Sequence, residues 1–212
     1  MTLLLEEYKA KKKEIERALA GFRKLWLKGS EEDIFSELCF CLLTPQSKAF
    51  SCAVAIEKLK ENKLLFDGKQ TGIALCLRTL TRFHNNKASY IENARKIFVK
   101  NKKIIIKEKI AVFKDKRELR DWLVRNIKGL GLKEASHFLR NIGFGNNIAI
   151  LDRHILKNLM NLGLIKKIPD TLSHRIYFEI EQRMKEFSDR SGIPLAALDL
   201  LFWSRQTGRI FK

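Results

Sequence analysis

The chain has 212 residues, of which 42 are Lys or Arg and 24 are Asp or Glu, so its formal net charge is +18. This basic excess favours a polyanionic partner such as nucleic acid, with an anionic membrane surface as the competing interpretation. No run approaches the roughly 20 apolar residues that span a bilayer, and the N-terminus lacks a signal-peptide core, which excludes an integral membrane protein and predicts a cytoplasmic one.

Helical spacing of apolar residues dominates the chain from its start. The first such region covers about residues 3 to 27. Ser30 followed by Asp33 has the pattern of a helix start, and the helix that it opens ends at Pro45. Further helices are predicted at about 47–61, 87–100, 117–127, 132–142, 153–162, 171–188 and 194–203. The pattern predicts an all-α fold.

The segment Lys103–Phe113 is the main challenge to that prediction. Its β-branched residues, among them Ile104 and Ile105, favour a strand. Because no second convincing strand offers itself for pairing, we expect helical or irregular structure here.

The four cysteines, Cys39, Cys41, Cys52 and Cys76, form none of the CxxC pairs expected of a zinc or iron–sulfur site. Cys39 and Cys41 are two residues apart on a predicted helix, so their side chains point in different directions. We predict four buried thiols and no metal.

The segment Ile127–Ala135 has the pattern of a helix, a tight turn and a second helix. Gly129 and Gly131 allow positive φ and close approach of a ligand, while the first N–H groups of the second helix offer an anion site. A DNA phosphate fits that site. An ordinary glycine-containing connection between helices is the alternative.

Lys133 directly follows the turn, and Asp152 follows 19 residues later. Taken singly, a solvated lysine and a helix N-cap are the plain alternatives, although Asp152 can cap the helix that begins at Arg153 and still serve chemistry. Together with the turn, the two residues resemble the helix-hairpin-helix motif of the endonuclease III and 8-oxoguanine glycosylase superfamily. In that superfamily a lysine at the position of Lys133 marks the members that form a Schiff base.

The resemblance implies a division of chemical roles. Lys133 would attack the sugar C1′, which an amine does only in its neutral form. Asp152 would stabilise the oxocarbenium-like state and assist activation of the lysine. The resulting imine would permit β-elimination of the 3′ phosphate, which nicks the strand.

No cysteine follows Cys76, whereas endonuclease III carries a four-cysteine iron–sulfur cluster near its C-terminus. We therefore expect no iron–sulfur cluster and no other cofactor. Essentially the whole chain instead resembles the archaeal-type, or type 2, 8-oxoguanine DNA glycosylase/AP lyase family. Three further segments carry this resemblance, namely Glu37–Thr44, Arg82–Ala88 and Phe202–Lys212.

The resemblance also implies the residues that recognise the base. The family's terminal lysine, matched by Lys212, lies near the base pocket, where its α-carboxylate would accept the N7–H that distinguishes 8-oxoguanine from guanine. A frayed terminus is the alternative. Phe83 and Trp203 would sandwich the flipped base, with core packing as their alternative. Pro45 and Gln46 would line the opposite wall.

The expected partner is double-stranded DNA containing 8-oxoguanine or abasic sites, bound by a monomer with no membrane contact. Gly129, Gly131, Lys128 and Arg140 would contact its backbone. The leading hypothesis is an enzyme that excises 8-oxoguanine and cleaves the abasic site. A non-catalytic helix-hairpin-helix module would need neither Lys133 nor Asp152, whereas an enzyme for oxidised pyrimidines would leave Lys212 without an evident task.

By the same resemblance, the fold is expected to have two helical lobes with the active site in the cleft between them. Residues 1–30 and 126–212 would form the catalytic lobe and residues 31–125 the second lobe. The alternative is a single glycosylase domain, 1–212. Lys133, Asp152, Phe83 and Trp203 are expected to converge on the cleft.

Overall fold

The structure is a computed structural model that describes residues 2–211. These residues form twelve α-helices and one two-stranded antiparallel ladder, which confirms the all-α prediction. The helices are α1 (Thr2–Lys28), α2 (Glu31–Leu43), α3 (Ala49–Glu61), α4 (Leu64–Asp67), α5 (Gln70–Leu77), α6 (His84–Phe98), α7 (Ile106–Ala111), α8 (Lys116–Asn126), α9 (Leu132–Asn141), α10 (Arg153–Asn161), α11 (His174–Ser191) and α12 (Leu195–Thr207). The strands are β1 (Val99–Lys100) and β2 (Lys103–Ile104).

The chain divides into two compact units. The central unit is Trp26–Phe138, and the terminal unit combines the described parts of Met1–Leu25 and Leu139–Lys212. The chain passes from one unit to the other within α1 and within α9. The two lobes with bounds at residues 30/31 and 125/126 rest on the family resemblance and stay a prediction.

The central unit is built around α2. Every residue from Ile34 to Leu43 is buried, and α3, α6 and α7 pack on this helix. Its start is fixed as predicted, because the Asp33 N–H donates to Ser30 Oγ at 3.1 Å and the Ser30 N–H donates back to Asp33 Oδ2 at 2.9 Å.

The expectation that no strand pairs near Ile104 was wrong. Val99 pairs with Ile104, and the two turn residues between the strands, Asn101 and Lys102, both have positive φ (50° and 61°). A two-residue turn with two positive φ values matches the twist of a hairpin. This turn lacks the glycine that usually marks such a hairpin in a sequence. The short helices α4 and α5 were also not predicted.

The terminal unit is built around α12. All residues from Leu195 to Phe202 are buried, and α10 and α11 pack on this helix. The first part of α1 belongs to the same unit and buries Leu4, Ile15 and Phe22.

Three of the four cysteines, Cys39, Cys41 and Cys52, are fully buried as predicted, whereas Cys76 is partly exposed. In residues 2–211, no three His, Cys, Asp or Glu side chains come together in a way that would hold a metal ion. The expected absence of an iron–sulfur cluster stays a prediction. No helix in the same residues is both long and apolar enough to cross a membrane.

Candidate active site

The glycine-containing turn joins α8 to α9 in the central unit as the sequence predicts. Helix α8 ends as the Ile127 N–H donates to Leu123 O at 2.9 Å, and the Leu130 N–H closes the turn on Ile127 O at 3.1 Å. Helix α9 opens with the Ala135 N–H donating to Gly131 O at 2.9 Å. The result is a helical hairpin whose turn ends at Gly131, two residues before Lys133.

The two glycines of the turn serve different purposes. Gly129 has a φ of +94°, and a Cβ at this position would overlap the ring of Tyr90. Gly131 does not adopt positive φ. Its N–H donates to Glu134 Oε2 at 3.3 Å, so a carboxylate of the protein occupies part of the predicted anion site.

A buried arginine ties the two helices of the hairpin together. Arg120 on α8 is fully buried, and its guanidinium donates to Ser136 Oγ on α9 at 3.1 Å. This contact fixes the direction in which α9 leaves the turn. No local sequence pattern marks it.

Lys133 is the second residue of α9 and keeps its side chain partly exposed. Its Nζ lies 3.3 Å from Glu134 Oε1, so Glu134 contacts both the candidate nucleophile and the turn that precedes it. The spacing from Gly131 to Glu134 is that of a capping residue and its partner three positions later, so this residue had a local signal that the sequence analysis missed.

A buried thiol and a buried ammonium lie within electrostatic range of Lys133. Burial raises the pKa of the Cys52 thiol to about 11, while the positive charges of Lys87 and Lys133 oppose that rise. The Cys52 thiol donates to Leu43 O at 3.2 Å, and Lys87 Nζ donates to the same oxygen at 2.7 Å. A second buried positive charge, that of Lys87, therefore acts on the same side of the site as Lys133.

Two loops of the central unit carry predicted base-recognition residues. Pro45 and Gln46 follow the end of α2, and Phe83 precedes α6. Gln46 and Phe83 both have a left-handed backbone, with φ values of 53° and 55°. Both side chains are exposed, and Phe83 retains 52% of its accessible area. Left-handed backbone is unfavourable for a residue other than glycine and is frequent at functional sites.

Asp152 is the N-cap of α10 in the terminal unit. Its Oδ1 accepts the Ile155 N–H at 2.8 Å, so the capping role foreseen for this residue is present. The capping bond uses one carboxylate oxygen and leaves Asp152 partly exposed.

The segment that leads to Asp152 is held by two buried side chains of α11. The Tyr177 hydroxyl donates to Ala149 O at 2.7 Å and accepts the Leu151 N–H at 3.3 Å. The Glu181 carboxylate accepts the Ala149 N–H at 2.8 Å. These contacts fix the backbone from which Asp152 projects, and sequence analysis did not identify either side chain.

Trp203 lies on α12 and is partly exposed. Its ring stacks on Phe211, with 6.2 Å between the centroids and an angle of 29° between the planes. Phe211 therefore covers part of the aromatic surface that was predicted to receive a base. Lys212 lies outside the described residues, and its role stays a prediction.

The two predicted phosphate contacts differ in accessibility. Lys128 is exposed beside the hairpin turn. Arg140 is only 5% exposed, lies 3.3 Å from Asp199 and sits over the ring of Phe22 at 5.0 Å. Because its guanidinium is buried and paired, this arrangement argues against the predicted phosphate contact and indicates a role in packing the terminal unit.

Comparisons with known proteins show which family this chain belongs to. A family model described as 8-oxoguanine DNA glycosylase matches residues 15–193. An 8-oxoguanine DNA glycosylase/AP lyase of Fusobacterium nucleatum is 44% identical over 205 residues, which cover 97% of this chain and 94% of the relative. The enzyme of that name from Korarchaeum cryptofilum is 41% identical over 93% of this chain and 90% of its own length.

Solved structures of such enzymes resemble the whole chain. The crystal structure of Methanocaldococcus jannaschii 8-oxoguanine glycosylase/lyase in complex with a 15mer DNA containing 8-oxoguanine matches with a TM-score of 0.88 and 35% identity, covering 100% of both chains. The 8-oxoguanine DNA glycosylase of Thermotoga maritima matches with a TM-score of 0.87 and 32% identity, covering 100% of this chain and 99% of its own.

Proposed function

Because the chain belongs to the 8-oxoguanine DNA glycosylase family, we propose that it is a base-excision repair enzyme that removes 8-oxoguanine from DNA and cleaves the backbone at the abasic site. One observation carries the assignment of Lys133 as the nucleophile: Lys133 lies at the start of α9, just after the hairpin turn, in a chain whose relatives are glycosylase/lyases. The relatives are named as glycosylases and lyases, which disfavours a purely DNA-binding module.

The proposed first step is a displacement at the sugar. The neutral amine of Lys133 attacks C1′, a bond forms between Nζ and C1′, and the bond between C1′ and N9 of the base breaks. Positive charge develops on the sugar as the base leaves, and the Asp152 carboxylate stabilises that charge. The capping bond to Ile155 N–H uses one oxygen of Asp152 and leaves the other for this role.

The proposed second step cleaves the strand. Opening of the sugar gives an imine between Lys133 and C1′, which acidifies the C2′ proton. Loss of that proton and departure of the 3′ phosphate complete the β-elimination. Hydrolysis of the imine then returns Lys133 to its free form.

In this proposal the exposed Lys128 and the N–H groups of the hairpin turn contact the DNA backbone. The large positive charge of the chain adds to the affinity for DNA whatever the DNA sequence. We propose that the protein acts in the cytoplasm and is associated with the nucleoid when bound to DNA. We also propose that the protein acts as a monomer.

Borohydride trapping tests the proposal directly. Wild-type protein mixed with an 8-oxoguanine:C duplex and sodium borohydride is expected to give a covalent protein–DNA adduct, whereas Lys133→Gln gives none. Lys96→Gln, which changes an exposed lysine on α6, is the matched control and retains trapping. Trapping by Lys133→Gln would refute the assignment of the nucleophile, and absence of trapping by the wild type would refute the lesion or the lyase chemistry.

A further inference from the structure

A buried lysine lies where the two loops of the predicted base pocket meet. Lys87 on α6 is 2% exposed. Its Nζ donates to Leu43 O at 2.7 Å, to Pro45 O at 2.9 Å and to Ser47 Oγ at 2.7 Å. An ammonium has three N–H donors, so these three acceptors satisfy it completely.

The same network reaches the second loop. Ser47 Oγ, besides accepting from Lys87, accepts the Arg82 N–H at 3.0 Å. The two loops are therefore joined through one hydroxyl. Each loop holds its exposed residue, Gln46 or Phe83, in a left-handed backbone that the surrounding structure must enforce.

The charge of Lys87 is unfavourable where it lies. Burial is the largest cause that lowers its pKa, and repulsion from Arg82 and Lys133 lowers it further, against an opposing effect of Cys52. A neutral amine would have only two donors for three acceptors. An apolar side chain would fill the same space without desolvating a charge, so packing alone does not explain a lysine at this position.

We propose that Lys87 is a positioning residue for base excision, because its ammonium holds the Pro45–Ser47 loop and the Arg82–Phe83 turn in the one arrangement that receives the flipped base. The inference rests on the proposed function. Lys87 is not assigned contact with the DNA. It acts through Pro45 and Ser47, which flank Gln46, and through the bond from the Arg82 N–H to Ser47, which fixes the residue before Phe83. Gln46 and Phe83 are the exposed residues expected to meet the base.

Two reactions of the same enzyme distinguish a role in positioning the base pocket from a general role in stabilising the protein. Excision of 8-oxoguanine needs the base pocket, whereas cleavage of a preformed abasic site has no base to receive. Lys87→Met is expected to lower single-turnover excision at saturating protein by about tenfold or more, and to change abasic-site cleavage by less than about threefold. Lys96→Met is the matched control, since Lys96 lies exposed on the same helix, and it leaves both rates unchanged.

Ser47→Ala is a second variant for the case in which Lys87→Met does not fold, which circular dichroism would reveal. It removes only the hydroxyl that joins the two loops. It is expected to lower the rate of excision more than the rate of abasic-site cleavage, by a smaller factor than Lys87→Met does. Equal losses of excision and abasic-site cleavage in a folded variant, or no loss of either, would overturn the inference. A wild-type protein that performs neither reaction would instead refute the proposed function on which the inference rests.

Discussion

Replacing Asp152 by asparagine and, separately, by alanine distinguishes its capping role from its proposed chemical role. The Asp152 carboxylate caps α10 by accepting the Ile155 N–H at 2.8 Å. Asparagine is an equally good N-cap and offers an amide oxygen at the same position, whereas alanine offers none. Both substitutions remove the negative charge.

The capping role predicts a change in melting temperature, and the proposed chemical role predicts a change in the excision rate. Loss of the cap costs about 0.5 to 2 kcal/mol of unfolding free energy. At roughly 2 to 4 °C per kcal/mol for a chain of this size, Asp152→Ala is expected to melt about 1 to 8 °C below the wild type. Asp152→Asn keeps the cap and is expected to melt close to the wild type. Loss of the charge lowers excision by about 10²- to 10³-fold in both variants.

Thermal unfolding followed by circular dichroism measures the first quantity, and single-turnover excision of 8-oxoguanine from a duplex measures the second. Asp189→Asn, which changes an exposed carboxylate on α11, is the matched control and leaves both the melting temperature and the excision rate unchanged. Excision near the wild-type rate by Asp152→Asn would refute the chemical role. Equal melting temperatures of the asparagine and alanine variants would refute the energetic contribution of the cap.

Two other side chains give separate tests of the site. Tyr177→Phe removes the hydroxyl that bonds two backbone groups of the Ile148–Leu151 segment, so it is expected to lower the free energy of unfolding, measured in urea, by about 1 to 3 kcal/mol and to slow excision, because Asp152 is then held less firmly. An unchanged free energy of unfolding together with an unchanged excision rate would contradict this account. Glu134→Gln removes a negative charge from the hairpin turn that is proposed to contact phosphate, so DNA is expected to bind about two- to fivefold more tightly by fluorescence anisotropy. Replacing Glu61, an exposed carboxylate on α3, by Gln is the control, and weaker binding by Glu134→Gln would mean that Glu134 supports the turn more than it repels phosphate.

Parts of the fold and site were predictable where the determining residues are close in sequence. Ser30 with Asp33, and Asp152 before α10, mark helix starts because a cap acts on N–H groups two or three residues away. The position of Lys133 at the start of α9 was predictable for the same reason, since the glycine turn is adjacent, and its role as the nucleophile stays a prediction. The hairpin of β1 and β2 was missed because its turn, Asn101–Lys102, adopts positive φ without a glycine.

The side chains that hold the site in place were not predictable, because their partners are distant in sequence. Lys87 donates to Leu43, 44 residues away, and Tyr177 donates to Ala149, 28 residues away. A lysine or an arginine is also expected at the surface by default. The burial of Lys87 and Arg140 is a consequence of tertiary packing, and no local pattern signals it.

The division of the chain also has a consequence for its synthesis on the ribosome. The central unit is continuous in sequence, whereas the terminal unit needs α1, which emerges first, and everything from Leu139 onward, which emerges last. At ordinary rates of translation the stretch from Leu139 takes about 4 to 15 s to make. During that interval the apolar stripe of α1, with Leu4, Ile15 and Phe22, lacks the partners that bury it in the finished protein. The nascent chain therefore exposes these apolar side chains to solvent until the last helices are released.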